Sequence, residues 1–80
     1  MELVKGNIIK QIKKNENSDF AGTCANSELT YKVVRVNSKT YGLVCIGGYM
    51  QGTRCNLCKN FKESSVDVYG TTTEWVLVQQ

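Results

Sequence analysis

Four cysteines carry the most specific chemistry in this sequence. They stand at four positions, Cys24, Cys45, Cys55 and Cys58. The last two form a C-x-x-C motif, the spacing with which two thiolates chelate one tetrahedral ion from a tight turn. If the other two cysteines join them, the four thiolates predict one closed structural zinc site.

Other interpretations of the cysteines stay open. Cys24 and Cys45 do not form a second C-x-x-C motif, so the two-knuckle signature of a zinc ribbon is missing. Free thiols are an alternative, with Cys45 as a small core residue. Two disulfides are another, and their connectivity cannot be deduced from the spacing. A redox-active C-x-x-C is the last, although no βαβ unit is visible around it.

Most enzyme chemistry has no support in the sequence. The chain contains no histidine, which excludes a Ser-His-Asp triad, a Cys-His pair and an imidazole metal ligand. No two of its seven carboxylates form a recognisable acid and base pair. Residues 47–52 are glycine-rich but lack the Lys-Ser/Thr of a phosphate-binding loop. We therefore expect no enzyme and no small-molecule substrate.

Basic and aromatic side chains alternate through the middle of the chain. The net charge is +3, and residues 63–80 contain acids but no base, so positive charge is concentrated before them. Such a charge distribution favours an anionic partner, and a β-surface with Tyr and Arg can stack bases and pair with phosphates. The alternative is that the tyrosines are half-buried and the bases are merely solvated. The candidate partner-binding residues of this basic patch are Tyr31, Lys32, Arg35, Lys39, Tyr41, Arg54, Lys59 and Lys62.

A length of 80 residues predicts a single domain spanning 1–80, with a core small enough to benefit from a metal or another cross-link. The first 14 residues contain four lysines and no apolar run of signal-peptide length. No segment approaches the roughly 18 apolar residues of a membrane span. These observations favour a cytoplasmic protein without a membrane partner. If the cysteines instead form disulfides, we expect a secreted protein.

The hydrophobic pattern predicts a mainly β domain. Residues 29–46 form the clearest element, a hairpin of two runs rich in β-branched and aromatic residues around a turn at 37–39. A second hairpin is predicted from residues 66–69 and 74–78. Residues 3–14 favour a strand, with an N-terminal helix, and hence an α+β fold, as the alternative. Residues 15–28 are rich in turn formers and are interpreted as a long loop. Residues 55–63 are interpreted as a Cys-bearing loop or short helix.

Five strands with one long loop suit a small barrel or half-closed sheet. The segments Val-Lys-Gly-Asn-Ile-Ile at 4–9 and Tyr-Lys-Val-Val-Arg-Val-Asn-Ser-Lys-Thr-Tyr-Gly-Leu at 31–43 resemble the opening strand and central hairpin of SH3-like barrels of phage and prophage proteins. The resemblance covers residues 4–46. It implies a five-stranded SH3-like barrel that binds protein or nucleic acid and performs no catalysis.

The expected function is therefore a non-enzymatic binding module, of phage or prophage type as the resemblance implies. Its partner is a protein or a nucleic acid, and the sequence does not decide between them. The alternatives are a zinc-stabilised mini-domain, a secreted disulfide-stapled peptide and a thiol redox protein.

Overall fold

A computed structural model describes residues 1–15, 26–68 and 70–79 of the chain. Six strands account for most of this part, and no helix occurs within it. The described residues therefore include no helix that is long and apolar enough to cross a membrane. The strands are β1 (Ile8–Asn15), β2 (Asn26–Val36), β3 (Thr40–Gly47), β4 (Arg54–Cys58), β5 (Ser64–Val66) and β6 (Thr71–Gln79).

All six strands join one antiparallel sheet with the order β4-β3-β2-β1-β6-β5. The strand that begins the chain lies inside the sheet, because β1 pairs with β2 on one side and with β6 on the other. The sheet curls into a half-barrel. The curl gives it an inner face that encloses the core and an outer face that is turned away from it.

The core is built from alternate residues of the central strands. Ile9 on β1 pairs with Tyr31 on β2 and with Leu77 on β6, so these three side chains share the inner face. The buried apolar residues are Leu3, Ile9, Leu29, Tyr31, Val33, Tyr41, Leu43 and Cys45. All of them except Leu3 lie on β1, β2 and β3, and β-branched and aromatic residues suit such a surface.

An aromatic group covers one side of this core. The ring of Trp75 lies 5.9 Å from that of Tyr31 and 5.8 Å from that of Phe61, centroid to centroid. The second contact is edge-on, at an interplanar angle of 70°, which is a favoured arrangement for aromatic pairs. Trp75 and Phe61 are only partly buried, and they extend the core from β6 to the segment before β5.

The N-terminal segment closes the end of the sheet near Tyr41. The backbone N–H of Leu3 donates to the Tyr41 Oη at 3.2 Å, and Leu3 itself is buried. A turn then follows, in which Asn7 Oδ1 accepts from the Val4 N–H at 2.8 Å and the Asn7 N–H donates to the Val4 carbonyl at 3.1 Å. This turn explains why the strand predicted for residues 3–14 starts only at Ile8.

The mainly β prediction and the first hairpin are confirmed. The second hairpin forms at shifted positions, because β5 spans Ser64–Val66 and not 66–69, and β6 begins at Thr71 and not at 74. The alternative of an N-terminal helix at 3–14 is wrong, because β1 is held in extended form between two neighbouring strands. The strand count is six and not five. The additional strand is β4, which overlaps the stretch interpreted as a loop or short helix at 55–63. Residues 26–28 extend β2, and residues 16–25 of the predicted loop lie outside the described residues.

Candidate binding face

The C-x-x-C motif lies in strand β4, where its two thiols point to opposite faces. Cys55 pairs with Leu43 of the core, whereas Cys58 pairs with Thr40 on the outer side of β3. Side chains alternate along a strand with a period of two, so a spacing of three residues separates them. The motif therefore does not form the tight chelating turn that its spacing suggests.

The three described cysteines are free thiols, and their surroundings differ. Cys45 is 1% exposed, and its Sγ–H donates to the Gly47 carbonyl at 3.3 Å. Cys55 and Cys58 are exposed. Within residues 1–15, 26–68 and 70–79, no cluster of three or more metal-ligating side chains occurs. Cys24 lies outside the described residues, so the four-cysteine zinc site stays a prediction.

The two tyrosines that were candidates for partner binding belong to the core. Tyr31 is 7% exposed and Tyr41 is 3% exposed, on the inner face. Lys59 places its Nζ 5.4 Å from the centroid of the Tyr41 ring, a cation–π contact that holds this lysine against the edge of the core. Neither tyrosine ring is accessible enough to stack on a base. Of the candidate residues, only the lysines and arginines are therefore available to contact a partner.

Three of the candidate cations converge on the outer face of the sheet. Val44 on β3 pairs with Lys32 on one side and with Arg54 on the other. One row further along, Gly42 pairs with Arg35 on β2 and with Asn56 on β4. Paired residues share a face, so these rows form one surface. We call the surface made by Lys32, Arg35 and Arg54 the basic face.

An open groove of about 340 Å³ runs across the basic face. Gly42 leaves its floor without a side chain, and a Cβ built there would lie only 3.0 Å from the Cβ of Arg35. We call this depression the Gly42 groove. It is lined by Val34, Arg35, Gly42, Leu43, Val44, Arg54, Cys55 and Asn56. Its lining is thus an apolar floor with one arginine on each side.

The cations of the basic face are available to a partner. The two ion pairs formed among the described residues join the Met1 amino group to Glu63 at 3.3 Å and Lys10 to Glu28 at 2.7 Å. Neither of these pairs includes a residue of the basic face. Of the remaining candidates, Lys39 is exposed in the β2–β3 turn, and Lys62 is exposed after β4. The structure therefore brings three of the predicted cations together and leaves the others at the margin.

Sequence reasoning missed the residues that give the groove its shape. Gly42 was counted only as part of a dense strand run, and Val34, Val44 and Asn56 were not singled out. One signal was present, because a glycine inside an otherwise β-branched strand often marks a close approach of another group. No protein-family model, curated protein or solved structure matches the chain.

Two titratable groups on the inner face have raised pKa values. Burial raises the pKa of Tyr31 above its usual 10.0, with smaller contributions from Cys55, Cys45 and Tyr49. Burial also raises the pKa of Cys55 above its usual 9.0, and the charge of Cys45 adds to the effect. In both cases the folded protein disfavours the anion, because a charge loses hydration there and meets other anions.

These shifts predict that the protein loses stability at alkaline pH. A group whose pKa is higher in the folded chain than in the unfolded chain contributes its full stability at pH values below the unfolded pKa. That contribution is lost as the pH rises through the folded pKa. We expect the free energy of unfolding, measured with urea, to be level near pH 7 and to fall above about pH 9. Tyr31→Phe should flatten this fall. The control is Tyr49→Phe, at a side chain that is 70% exposed and makes the smallest contribution to the raised pKa of Tyr31. An equal flattening there would contradict the assignment.

Proposed function

We propose that this protein is a non-enzymatic binding module whose Gly42 groove receives an extended segment of an acidic partner protein. The observation that carries the proposal is the placement of Arg35 and Arg54 on opposite sides of a groove floor without a side chain. Each guanidinium can bind a carboxylate with two parallel hydrogen bonds. The valines between them suit an apolar side chain on the same segment.

A protein partner fits this surface better than a nucleic acid. Recognition of single-stranded nucleic acid depends on aromatic side chains that stack on bases, and Tyr31 and Tyr41 are buried. Val34 and Val44 line the groove instead, and an apolar centre surrounded by charge is typical of protein interfaces. A nucleic acid remains the second candidate, because Lys32, Arg35 and Arg54 lie on one face and can contact successive phosphates.

The fold family, the cellular location and the metal content of the module are part of the same proposal. The curled antiparallel sheet is compatible with a barrel-like fold, and we extend this to an SH3-like module of phage or prophage type that acts in the cytoplasm. What supports the extension is the Tyr31–Leu43 hairpin, which lies inside the sheet between β4 and β1. One structural zinc on the four cysteines is retained as a prediction only.

The proposal is tested by reversing charge at the groove. A displayed library of random eight-residue peptides is selected on the wild-type protein, and the enriched peptides are measured by fluorescence anisotropy. We expect enrichment of sequences that combine Asp or Glu with an apolar residue. The double variant Arg35→Glu and Arg54→Glu should bind them at least about tenfold more weakly, since a hydrogen bond to a charged group contributes about 1.5–3 kcal/mol.

The control is Lys14→Glu, which reverses one charge on the same face at the far end of β1 and is compared with Arg35→Glu alone. It should leave the affinity within about twofold. Equal losses in the control and the groove variant would contradict binding at the groove. A 12-nucleotide single-stranded DNA is measured in parallel. Tight binding that falls steeply with salt, without any peptide ligand, would replace the protein partner with a nucleic acid.

A further inference from the structure

Two thiols lie on neighbouring strands of the inner face, and one of them, Cys55, also contributes to the lining of the Gly42 groove. Cys55 on β4 pairs with Leu43 on β3, and Cys45 follows two residues later on β3. The Cys45 N–H donates to the Thr53 carbonyl at 2.8 Å. The Gly52 N–H donates to the Cys45 carbonyl at 2.8 Å, so Cys45 lies opposite residues 52–53, just before Cys55 in the sequence. Cys45 and Cys55 are therefore diagonal neighbours on one face, although the sequence separates them by a glycine-rich turn.

The spacing of a diagonal pair suits a metal-bridged arrangement better than a disulfide. Such pairs have Cα atoms about 7–8 Å apart and Cβ atoms somewhat closer. A disulfide requires Cβ atoms about 3.5–4.5 Å apart, so it would demand backbone movement. Two thiolates bound to one soft metal ion, at the roughly 2.3 Å that holds for zinc, keep their sulfurs up to about 4.6 Å apart. Both cysteines are free thiols.

The surroundings favour a soft ion. Cys45 is fully buried among the apolar residues of the core, where a hard, strongly hydrated ion would lose its water without replacement. Cys55 is exposed on β4, which is the last strand at that side of the sheet and provides an entry path.

We propose that Cys45 and Cys55 form a two-thiolate site for one soft monovalent metal ion of the Cu(I) class. Cu(I) binds both sulfurs, each thiol gives one proton to solvent, and no electron is transferred. The resulting centre carries one negative charge. The site differs from the zinc site predicted by the sequence, because it has two ligands and does not include Cys58, whose side chain lies on the outer face with Thr40.

The test is an anaerobic titration of the full-length chain with Cu(I) against a coloured Cu(I) chelator, with stoichiometry read by native mass spectrometry. We expect one Cu(I) per wild-type chain. The apparent affinity should increase by up to about a hundredfold per pH unit below the thiol pKa, because two protons are released. Cys55→Ser should lower the affinity at least about a hundredfold and leave the circular dichroism spectrum unchanged.

Cys58→Ser is the matched control, because it removes a thiol from the same short strand and the same C-x-x-C motif. It should bind Cu(I) as the wild type does, and so should Cys24→Ser. Cys45→Ala adds a second test of the buried ligand and should lose binding as Cys55→Ser does. An equal loss in Cys58→Ser or Cys24→Ser would overturn the two-thiolate site, as would unchanged binding in Cys55→Ser.

Discussion

Replacement of Leu43 by alanine is expected to lower the free energy of unfolding by about 3 kcal/mol, the middle of the range for a large apolar side chain truncated in a core. Leu43 is 1% exposed and lies on β3 between Val33 on β2 and Cys55 on β4. Its removal leaves a cavity on the inner face, and the paired backbones on both sides prevent the sheet from closing over it.

A loss of this size is a large fraction of the stability of a small domain, which is about 5–10 kcal/mol. It should be visible as a lower midpoint in urea with an unchanged slope. Val44→Ala is the control, since Val44 is the next residue of the same strand but is only half-buried on the outer face. It should cost less than about 1 kcal/mol. Equal losses at both positions would contradict the assignment of the two faces.

Gly48→Ala is expected to have the second-largest effect, a loss of at least about 2 kcal/mol from strain and overpacking together. Gly48 has a φ of +108°, which a residue with a Cβ adopts only with strain. A Cβ there would also lie 2.9 Å from the Glu28 carbonyl oxygen and 2.7 Å from Leu29 Cδ2. The leucine tip can move, but the carbonyl belongs to β2 and cannot shift without disturbing the sheet.

Gly52→Ala separates the two causes. Gly52 lies in the same turn with a φ of +92°, and a Cβ there meets no atom within 4 Å. This variant should show the backbone strain alone, about 1–2 kcal/mol. The difference between the two variants in urea unfolding then measures the steric contact with β2. A Gly52→Ala loss as large as that of Gly48→Ala would show that the contact contributes nothing.

The central hairpin was predictable because each of its strands has a strong local signal. Runs such as Tyr-Lys-Val-Val-Arg-Val alternate and favour extended backbone on their own. Its register was not predictable, because it depends on irregularities between Thr30 and Tyr31 and between Val33 and Arg35. The second of these places Arg35 opposite Gly42, which creates the groove. A bulge is decided by packing against neighbours that the local sequence does not reveal.

Strand β4 was missed for a related reason. Arg-Cys-Asn-Leu-Cys has little β-propensity, and only its ladder with β3 and the contact of Leu57 with the core hold it extended. The C-x-x-C spacing suggested a metal turn because that inference assumes a bent backbone. Once the segment is a strand, the same spacing divides the two thiols between opposite faces, and Cys55 instead becomes a neighbour of Cys45.

The candidate binding surface was half predictable. The cations were evident from composition, and the structure brings Lys32, Arg35 and Arg54 together because Val44 and Gly42 pair on both sides. The tyrosines were equally evident but could not be assigned to a face without the register. A shift of one residue would have turned Tyr31 and Tyr41 outward, and their burial changes which partner the surface suits.

The position of β1 inside the sheet has a consequence for the order of folding. Ile9 pairs with Leu77, so the centre of the sheet joins the two ends of the chain. The contiguous β2–β3–β4 meander can assemble through local contacts, whereas β6 must cross nearly the whole chain length in sequence to reach β1. Such non-local pairing places folding in the slower, millisecond-to-second range. Until β6 pairs with it, β1 has an open edge whose backbone groups can pair with another chain, so aggregation is favoured before that pairing forms.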